Sequence, residues 1–104
     1  MQFLHVGVPT QERLPETTYI EAAGVHVTDP SAHPQCFEYV RFEHDSILHE
    51  SLRRGPHVAY QVDDIVAALA GEEKILNAPM EVMPGVTVAF LVKDGVNLEY
   101  IQLG

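Results

Sequence analysis

The chain has 104 residues, 46% of them hydrophobic and 20% charged, which is typical of one globular domain. Six Lys and Arg stand against fifteen Asp and Glu, giving a net charge of −9. This charge argues against nucleic acids and membranes as partners, because both bind basic surfaces. A single cysteine, Cys36, excludes an internal disulfide. With no basic leader and no long apolar run, we expect a cytoplasmic protein, and its small core favours a homodimer.

The first half of the chain is predicted to contain mainly strands. Alternating and β-branched residues place strands at 3–8, 25–28 and 36–43. A short helix is expected within 11–23, with Pro15 in its first turn and Gly24 as its stop. Residues 44–56 are polar and are predicted to form a loop.

The second half repeats this order at greater length. A strand at 57–62 precedes a short helix at 65–70, for which Asp63-Asp64 offers an N-cap. Short β runs near 74–76 and 80–83 lead to strands at 86–92 and 97–103, joined by a turn at 93–95. These elements predict an α+β fold with a mostly antiparallel sheet.

Two sequence motifs recur in the same order in both halves. LHVGV at 4–8 matches PHVAYQV at 56–62, and FEYVRF at 37–42 matches LEYIQL at 98–103. The interval from His5 to Glu38 is 33 residues and that from His57 to Glu99 is 42. We therefore predict two pseudo-symmetric modules in one domain, at about 1–46 and 55–104, the first being nine residues shorter.

Strand alternation predicts an open face beside each histidine. His5 should share its face with Phe3 and Gly7, and His57 should share its face with Ala59. The opposite residues, which include Tyr39, Tyr60 and Tyr100, should pack beneath the helices. The small residue two positions after each histidine leaves room for a cavity.

The repeated carboxylates point to a ligand site. Glu38 and Glu99 lie within apolar strands, where a carboxylate is costly to bury unless it is paired or metal-bound. Imidazole and carboxylate ligands suit Zn, Mn, Fe, Ni and Co, and incomplete protein coordination is typical of catalytic sites. We therefore predict that His5, Glu38, His57 and Glu99 bind a divalent metal ion.

Other polar residues are weaker candidates. Arg41 could anchor a substrate acid, but pairing with Glu43 is the simpler expectation. The adjacent Arg53-Arg54 could steer an anion to the cavity, although solvated loop residues are the default. Further candidates lack a supporting pattern: a zinc site of His33, Cys36, His44 and His49, a nucleophilic Cys36, and the unrepeated His26.

These motifs resemble the vicinal oxygen chelate superfamily, which has paired βαβββ modules. The resemblance is clearest from PHVAYQVDD at 56–64 through VTVAFLVKDG at 86–95 to NLEYIQ at 97–102, which is similar to the C-terminal module of methylmalonyl-CoA epimerases. The first half is matched through LHVGV and FEYVRF. The resemblance implies that the two modules curve around a cavity and that the first is abbreviated.

The resemblance also implies a site and a chemistry. Metal ligands on the first and last strands of each module fall on His5, Glu38, His57 and Glu99. The implied mechanism is chelation of two neighbouring substrate oxygens by a divalent metal, which stabilises an enolate-like oxyanion. Glu99 is the first candidate for general base and Glu38 the second.

Three functions remain open from the sequence. The first is a metal-dependent enzyme of the glyoxalase, epimerase or isomerase type. The second is a non-enzymatic protein that binds a drug or metabolite, and the third is an extradiol-type dioxygenase with iron on His5, His57 and Glu99. We expect the substrate to be a small molecule. No segment resembles a glutathione-binding or CoA-binding region, so the sequence does not identify this molecule.

Overall fold

The secondary structure consists mainly of strands. The computed structural model describes residues 1–104, and its strands are β1 (Gln2–Pro9), β2 (Thr18–Ile20), β3 (Val25–Val27), β4 (Phe37–Phe42), β5 (His57–Gln61), β6 (Ile75–Met83), β7 (Val86–Lys93) and β8 (Val96–Leu103). Two short helices, α1 (Ser51–Arg54) and α2 (Ile65–Leu69), and a 3-10 turn at Pro30–Ala32 complete the elements. None of the helices is long and apolar enough to cross a membrane.

The eight strands form one curved sheet whose two halves have the same topology. The strand order is β2-β3-β4-β1-β5-β8-β7-β6. In each half the first strand pairs in parallel with the last, β1 with β4 and β5 with β8, while the other pairings are antiparallel. The antiparallel pair β1–β5 joins the halves at the centre. The predicted α+β class and the two pseudo-symmetric modules are thus confirmed.

The first module is abbreviated in its middle strands. β2 and β3 have three residues each, whereas β6 and β7 have nine and eight. The helix predicted within 11–23 is wrong, because Thr18–Ile20 is a strand and a turn follows it. Glu16, directly after Pro15, has φ +59°, in the left-handed region, which a right-handed helix cannot contain. The first module therefore has no counterpart of α2.

The connections also differ from the predicted loop and strands. The loop predicted at 44–56 contains α1, whose Leu52 is fully buried. The two runs predicted near 74–76 and 80–83 form the single strand β6, which contains Pro79. β6 is an edge strand, where a missing N–H is tolerated, and irregular pairing around Asn77 and Met80 marks the interruption.

The sheet buries a cluster on each face. One cluster lies inside the curve and includes Val88, Phe90 and Ile101, together with Leu52 from α1. The other lies beneath α2 and includes Leu91 and Tyr100. This alternation along β7 and β8 confirms the prediction that Tyr60 and Tyr100 pack under a helix, and Asp64 caps α2 as predicted by accepting a hydrogen bond from the N–H of Ala67. The same prediction is wrong for Tyr39, whose ring packs against His33 and Phe37 because the first module has no covering helix.

A bulge in β1 overturns one predicted face. Phe3 pairs with Tyr60 and His5 pairs with Ala59, so β1 has one extra residue between these pairs. Phe3 consequently lies on the face of Tyr60, with ring centroids 6.2 Å apart, rather than beside His5. Leu4 instead packs against the inner cluster.

Removing the Leu52 side chain should strongly destabilise the protein. The Leu52→Ala variant leaves a cavity in the inner cluster, and we expect its free energy of unfolding to fall by about 2–5 kcal/mol. Ile47→Ala is the matched control, because Ile47 is 60% exposed in the preceding loop, and its change should stay within about 0.5 kcal/mol. Urea unfolding measures both, and equal changes would contradict the role assigned to α1.

Candidate metal centre

The pairing of β1 with β5 places each histidine opposite a small residue of the other module. His5 pairs with Ala59, and His57 pairs with Gly7. A Cβ atom built on Gly7 would lie only 2.0 Å from Cε1 of His57, so the imidazole occupies the space that a side chain at residue 7 would need. The space that was predicted to be open beside residue 7 is therefore occupied by the His57 ring from the neighbouring strand β5.

The parallel pairings place the two carboxylates beside these positions. Glu38 on β4 is the partner of Gly7, and Glu99 on β8 is the partner of Ala59. Each small residue thus has a glutamate on one side and a histidine on the other. The pseudo-symmetry predicted from the repeat brings all four polar side chains to the same face of the sheet.

The four side chains meet within contact distance. Nε2 of His5 lies 3.3 Å from Oε1 of Glu38 and 3.4 Å from Oε1 of Glu99. Nε2 of His57 forms a hydrogen bond of 3.2 Å with Oε1 of Glu99. His5, His57 and Glu99 are buried, and Glu38 is half-buried.

The buried carboxylate of Glu99 and the half-buried carboxylate of Glu38 favour positive charge beside them, and a proton on His5 can supply one such charge. Burial acts to lower the pKa of His5, but the Glu38 and Glu99 carboxylates outweigh burial and raise that pKa to about 10. Burial acts to raise the pKa of Glu99, but contacts with His5 and His57 leave it below its ordinary value. Even so, Nε2 of His5 completes no hydrogen bond, and neither does Nδ1 of His57.

The same distances suit the ligands of a metal ion. Charge-assisted N–H···O bonds are shorter, at about 2.7–2.9 Å. Ligand atoms about 2.1 Å from a tetrahedral or octahedral ion lie about 3.0–3.4 Å from one another, which matches the observed contacts. One ligand atom from each of His5, Glu38 and His57 lies within 4.8 Å of the others. Glu99 stands outside this set but contacts both histidines.

The polar cluster forms one end of an apolar cavity. The cavity has a volume of about 130 Å³ and opens inside the curve of the sheet. Its walls are formed by apolar side chains from both modules, and Phe90 contacts His57 with ring centroids 5.3 Å apart. A molecule in this cavity would contact the four polar side chains on one part of its surface and apolar side chains on the rest.

The other candidate residues lie elsewhere. Arg41 pairs with Glu43, with Nη1 3.6 Å from Oε1, as expected for surface pairing. Arg53 donates to the backbone carbonyl of Glu43, and Arg54 pairs with Glu50 at 2.8 Å. None of these arginines lines the cavity.

The alternative zinc cluster does not form. His33 stacks on Phe37, with ring centroids 4.7 Å apart, and accepts backbone hydrogen bonds from Gln35 and Phe37. His49 is bonded to Ser51. His26 forms a 2.6 Å hydrogen bond with Glu43 on the outer face of the sheet.

Sequence reasoning missed part of the site. It did not assign Phe90 or the hydrophobic walls contributed by β6 and β7. A signal for Phe90 was present, because alternation along 86–92 separates Val88 and Phe90 from Ala89 and Leu91. Only the register, in which Phe90 pairs with Glu99, shows that this set faces the metal candidates.

Comparison with known proteins supports the fold. No family model and no curated protein matches the sequence. The structure is similar to methylmalonyl-CoA epimerase from Mycobacterium tuberculosis, with a TM-score of 0.64 and 15% identity over 99% of this chain and 88% of that one. It is also similar to a hypothetical protein from Bacillus halodurans, with a TM-score of 0.60 and 17% identity over 99% of this chain and 94% of that one.

Adding one methyl group at residue 7 should disturb the site and the fold. In Gly7→Ala the new Cβ overlaps the His57 ring, which is held by Phe90 and Glu99, and we expect a loss of about 1–3 kcal/mol in unfolding free energy. Gly55→Ala is the control, because that position is extended and has open space around it. Thermal or urea unfolding compares the two, and an unchanged Gly7→Ala protein would contradict the close approach of His57.

Proposed function

We propose that this chain, which has the vicinal oxygen chelate fold, is a divalent-metal-dependent enzyme of the glyoxalase, epimerase or isomerase type. The observation that supports this proposal is the meeting of two histidines and two carboxylates at the base of an apolar cavity. Their three closest contacts, at 3.2–3.4 Å, are also the separations expected between ligand atoms around one ion. The similarity of the fold to that of an epimerase is consistent with proton transfer.

His5, Glu38, His57 and Glu99 would hold the ion between the two modules. A divalent metal supplies positive charge that polarises a carbonyl group and stabilises negative charge on its oxygen. The two carboxylates offset the charge of the ion, and the two imidazoles provide neutral ligands once His5 has lost its proton. Because each module provides one histidine and one glutamate, neither module alone forms the site.

Glu99 is our first candidate for the residue that moves a proton. Its carboxylate contacts both histidines and lines the cavity, so it can accept a proton from carbon beside a polarised carbonyl. Glu38, its pseudo-symmetric counterpart, contacts only His5 and is the second candidate.

The apolar cavity also favours a second function. Apart from the four polar residues, every lining side chain is hydrophobic, as in a pocket that holds a ligand without transforming it. A non-enzymatic binding protein of this fold would bind small molecules tightly but would catalyse no exchange of their protons. The small-molecule partner, the homodimer and the cytoplasmic location stay predictions.

The four-residue site should bind about one divalent ion per chain. The purified protein would be stripped with a chelator, titrated with Mn²⁺, Co²⁺, Ni²⁺ or Zn²⁺, and analysed by calorimetry and elemental analysis. The His5→Ala/His57→Ala double variant should lose at least about a hundredfold in affinity, more than the loss of an outer partner causes.

The control for metal binding is His44→Ala. His44 is exposed and lies outside the cavity, so this variant should bind metal like the wild type. Equal and near-zero metal in the wild type and the double variant would overturn the proposal.

Exchange of a carbon-bound proton would identify the base. A small 2-hydroxyketone, 3-hydroxybutan-2-one, would be incubated with the metal-loaded protein in D2O, and loss of its α-proton signal would be followed by NMR. We expect Glu99→Gln to slow exchange by about 10²–10⁴-fold when compared at equal metal occupancy, because a general base contributes this much. Glu38→Gln is the matched comparison and should be less affected. A larger loss in Glu38→Gln would exchange the two roles, and tight binding with no exchange in the wild type would favour the binding protein.

A further inference from the structure

The composition of the cavity restricts what can occupy it. Beyond His5, Glu38, His57 and Glu99, its lining consists of Ile20, Ala23, Val25, Val27, Val40, Leu48, Val82, Met83, Val86, Val88, Phe90 and Ile101. This wall contains no lysine, arginine, hydroxyl or amide side chain. All of the polar groups of the cavity are therefore concentrated in the metal candidates at one end.

No lysine or arginine lines the cavity to pair with a second anionic group of a ligand. Arg41 lies on the outer face with Glu43, and Lys93 pairs with Glu72 at 2.9 Å on the surface. Glu38 and Glu99 add negative charge to the cavity itself. A carboxylate or phosphate buried against these walls would be desolvated without a partner, which is strongly unfavourable.

The volume sets the size of the enclosed part of a ligand. The cavity of about 130 Å³ is slightly smaller than the engineered apolar cavity of about 150 Å³ that holds benzene in another protein. About six non-hydrogen atoms therefore fit within the walls. Any larger portion of a ligand must lie in the solvent at the open side.

We infer that the substrate places two neighbouring oxygens at the His/Glu cluster and an uncharged, apolar group of about four non-hydrogen atoms against the walls. This inference rests on the proposed function and deepens it by naming the substrate class. A branched alkyl or small cyclic hydroxyketone has this chemistry. A compound that would place a second carboxylate or a phosphate against the walls does not belong to this class.

Two isosteric hydroxamates test the inference. Hydroxamates present two neighbouring oxygens to a metal, and the 3-methylbutanoyl and malonyl monohydroxamates differ only in ending in an isopropyl group or in a carboxylate of similar size. Calorimetry would measure the affinity of each probe for the metal-loaded protein. The affinity of the same probe for the free metal ion would also be measured, and the first value would be divided by the second. After this correction we expect the isopropyl probe to bind at least about tenfold more tightly, because its methyl groups are buried and the carboxylate is not paired.

A new cation at the cavity mouth should change this selectivity. Val86 lines the cavity, is half-buried and follows the turn at Gly85, so a lysine at residue 86 can reach both cavity and solvent. We expect Val86→Lys to reduce or reverse the preference for the isopropyl probe. Val66→Lys is the control with the same charge change, because Val66 is 72% exposed on α2, on the other face of the sheet, and its selectivity should not change.

The outcomes separate the two proposals. If the wild-type protein binds metal but binds the malonyl probe as tightly as the isopropyl probe, the inference about the substrate is overturned and the metal site stands. If the protein binds no metal, the proposed function is overturned and the inference falls with it. The wild-type comparison decides the question even if Val86→Lys fails to fold.

Discussion

The antiparallel pairing of β1 with β5 is the constraint on which the site depends. It places His5 opposite Ala59 and His57 opposite Gly7, so each imidazole occupies space left by the other module. The parallel partners of these two small residues are Glu38 and Glu99. A shift of one residue at this central pair would turn the alternating side chains of one module to the other face and separate the four polar groups.

The carboxylates of Glu38 and Glu99 in the polar cluster need positive charge beside them. Burying two carboxylates inside an apolar sheet is unfavourable unless positive charge accompanies them. In the metal-free protein burial acts to lower the pKa of His5, but the neighbouring carboxylates raise it and so favour the charged imidazolium, although His5 Nε2 still lacks a hydrogen bond. A divalent ion would compensate both carboxylates at once. The hydrophobic walls then leave this cluster as the one polar surface that a bound molecule can use.

The two modules differ because the outer faces of their strands differ. In the second module the outer face carries Leu91 and Tyr100, which require the cover that α2 provides. In the first module a row of neighbouring residues on the outer face comprises Tyr19, His26 and Arg41. His26 and Arg41 interact with Glu43 there and tolerate water. The outer face at Tyr19, His26 and Arg41 therefore needs no helix to cover it. The chain between β1 and β2 is irregular instead of helical. Strand topology is thus conserved between the modules while the helix is not.

The repeat, the α+β class and the four polar residues of the cavity could be predicted from the sequence. These features follow from local patterns, because strand alternation and the order of the motifs do not depend on distant contacts. The missing helix at 11–23, the buried Leu52 and the reversed face of Phe3 could not be predicted in this way, since burial, pairing and the β1 bulge decided them. Only the tertiary structure brought Phe90 and the walls of β6 and β7 over the polar cluster. The reason is physical: alternation fixes which residues share a face of one strand, but pairing across the sheet decides which faces enclose the cavity.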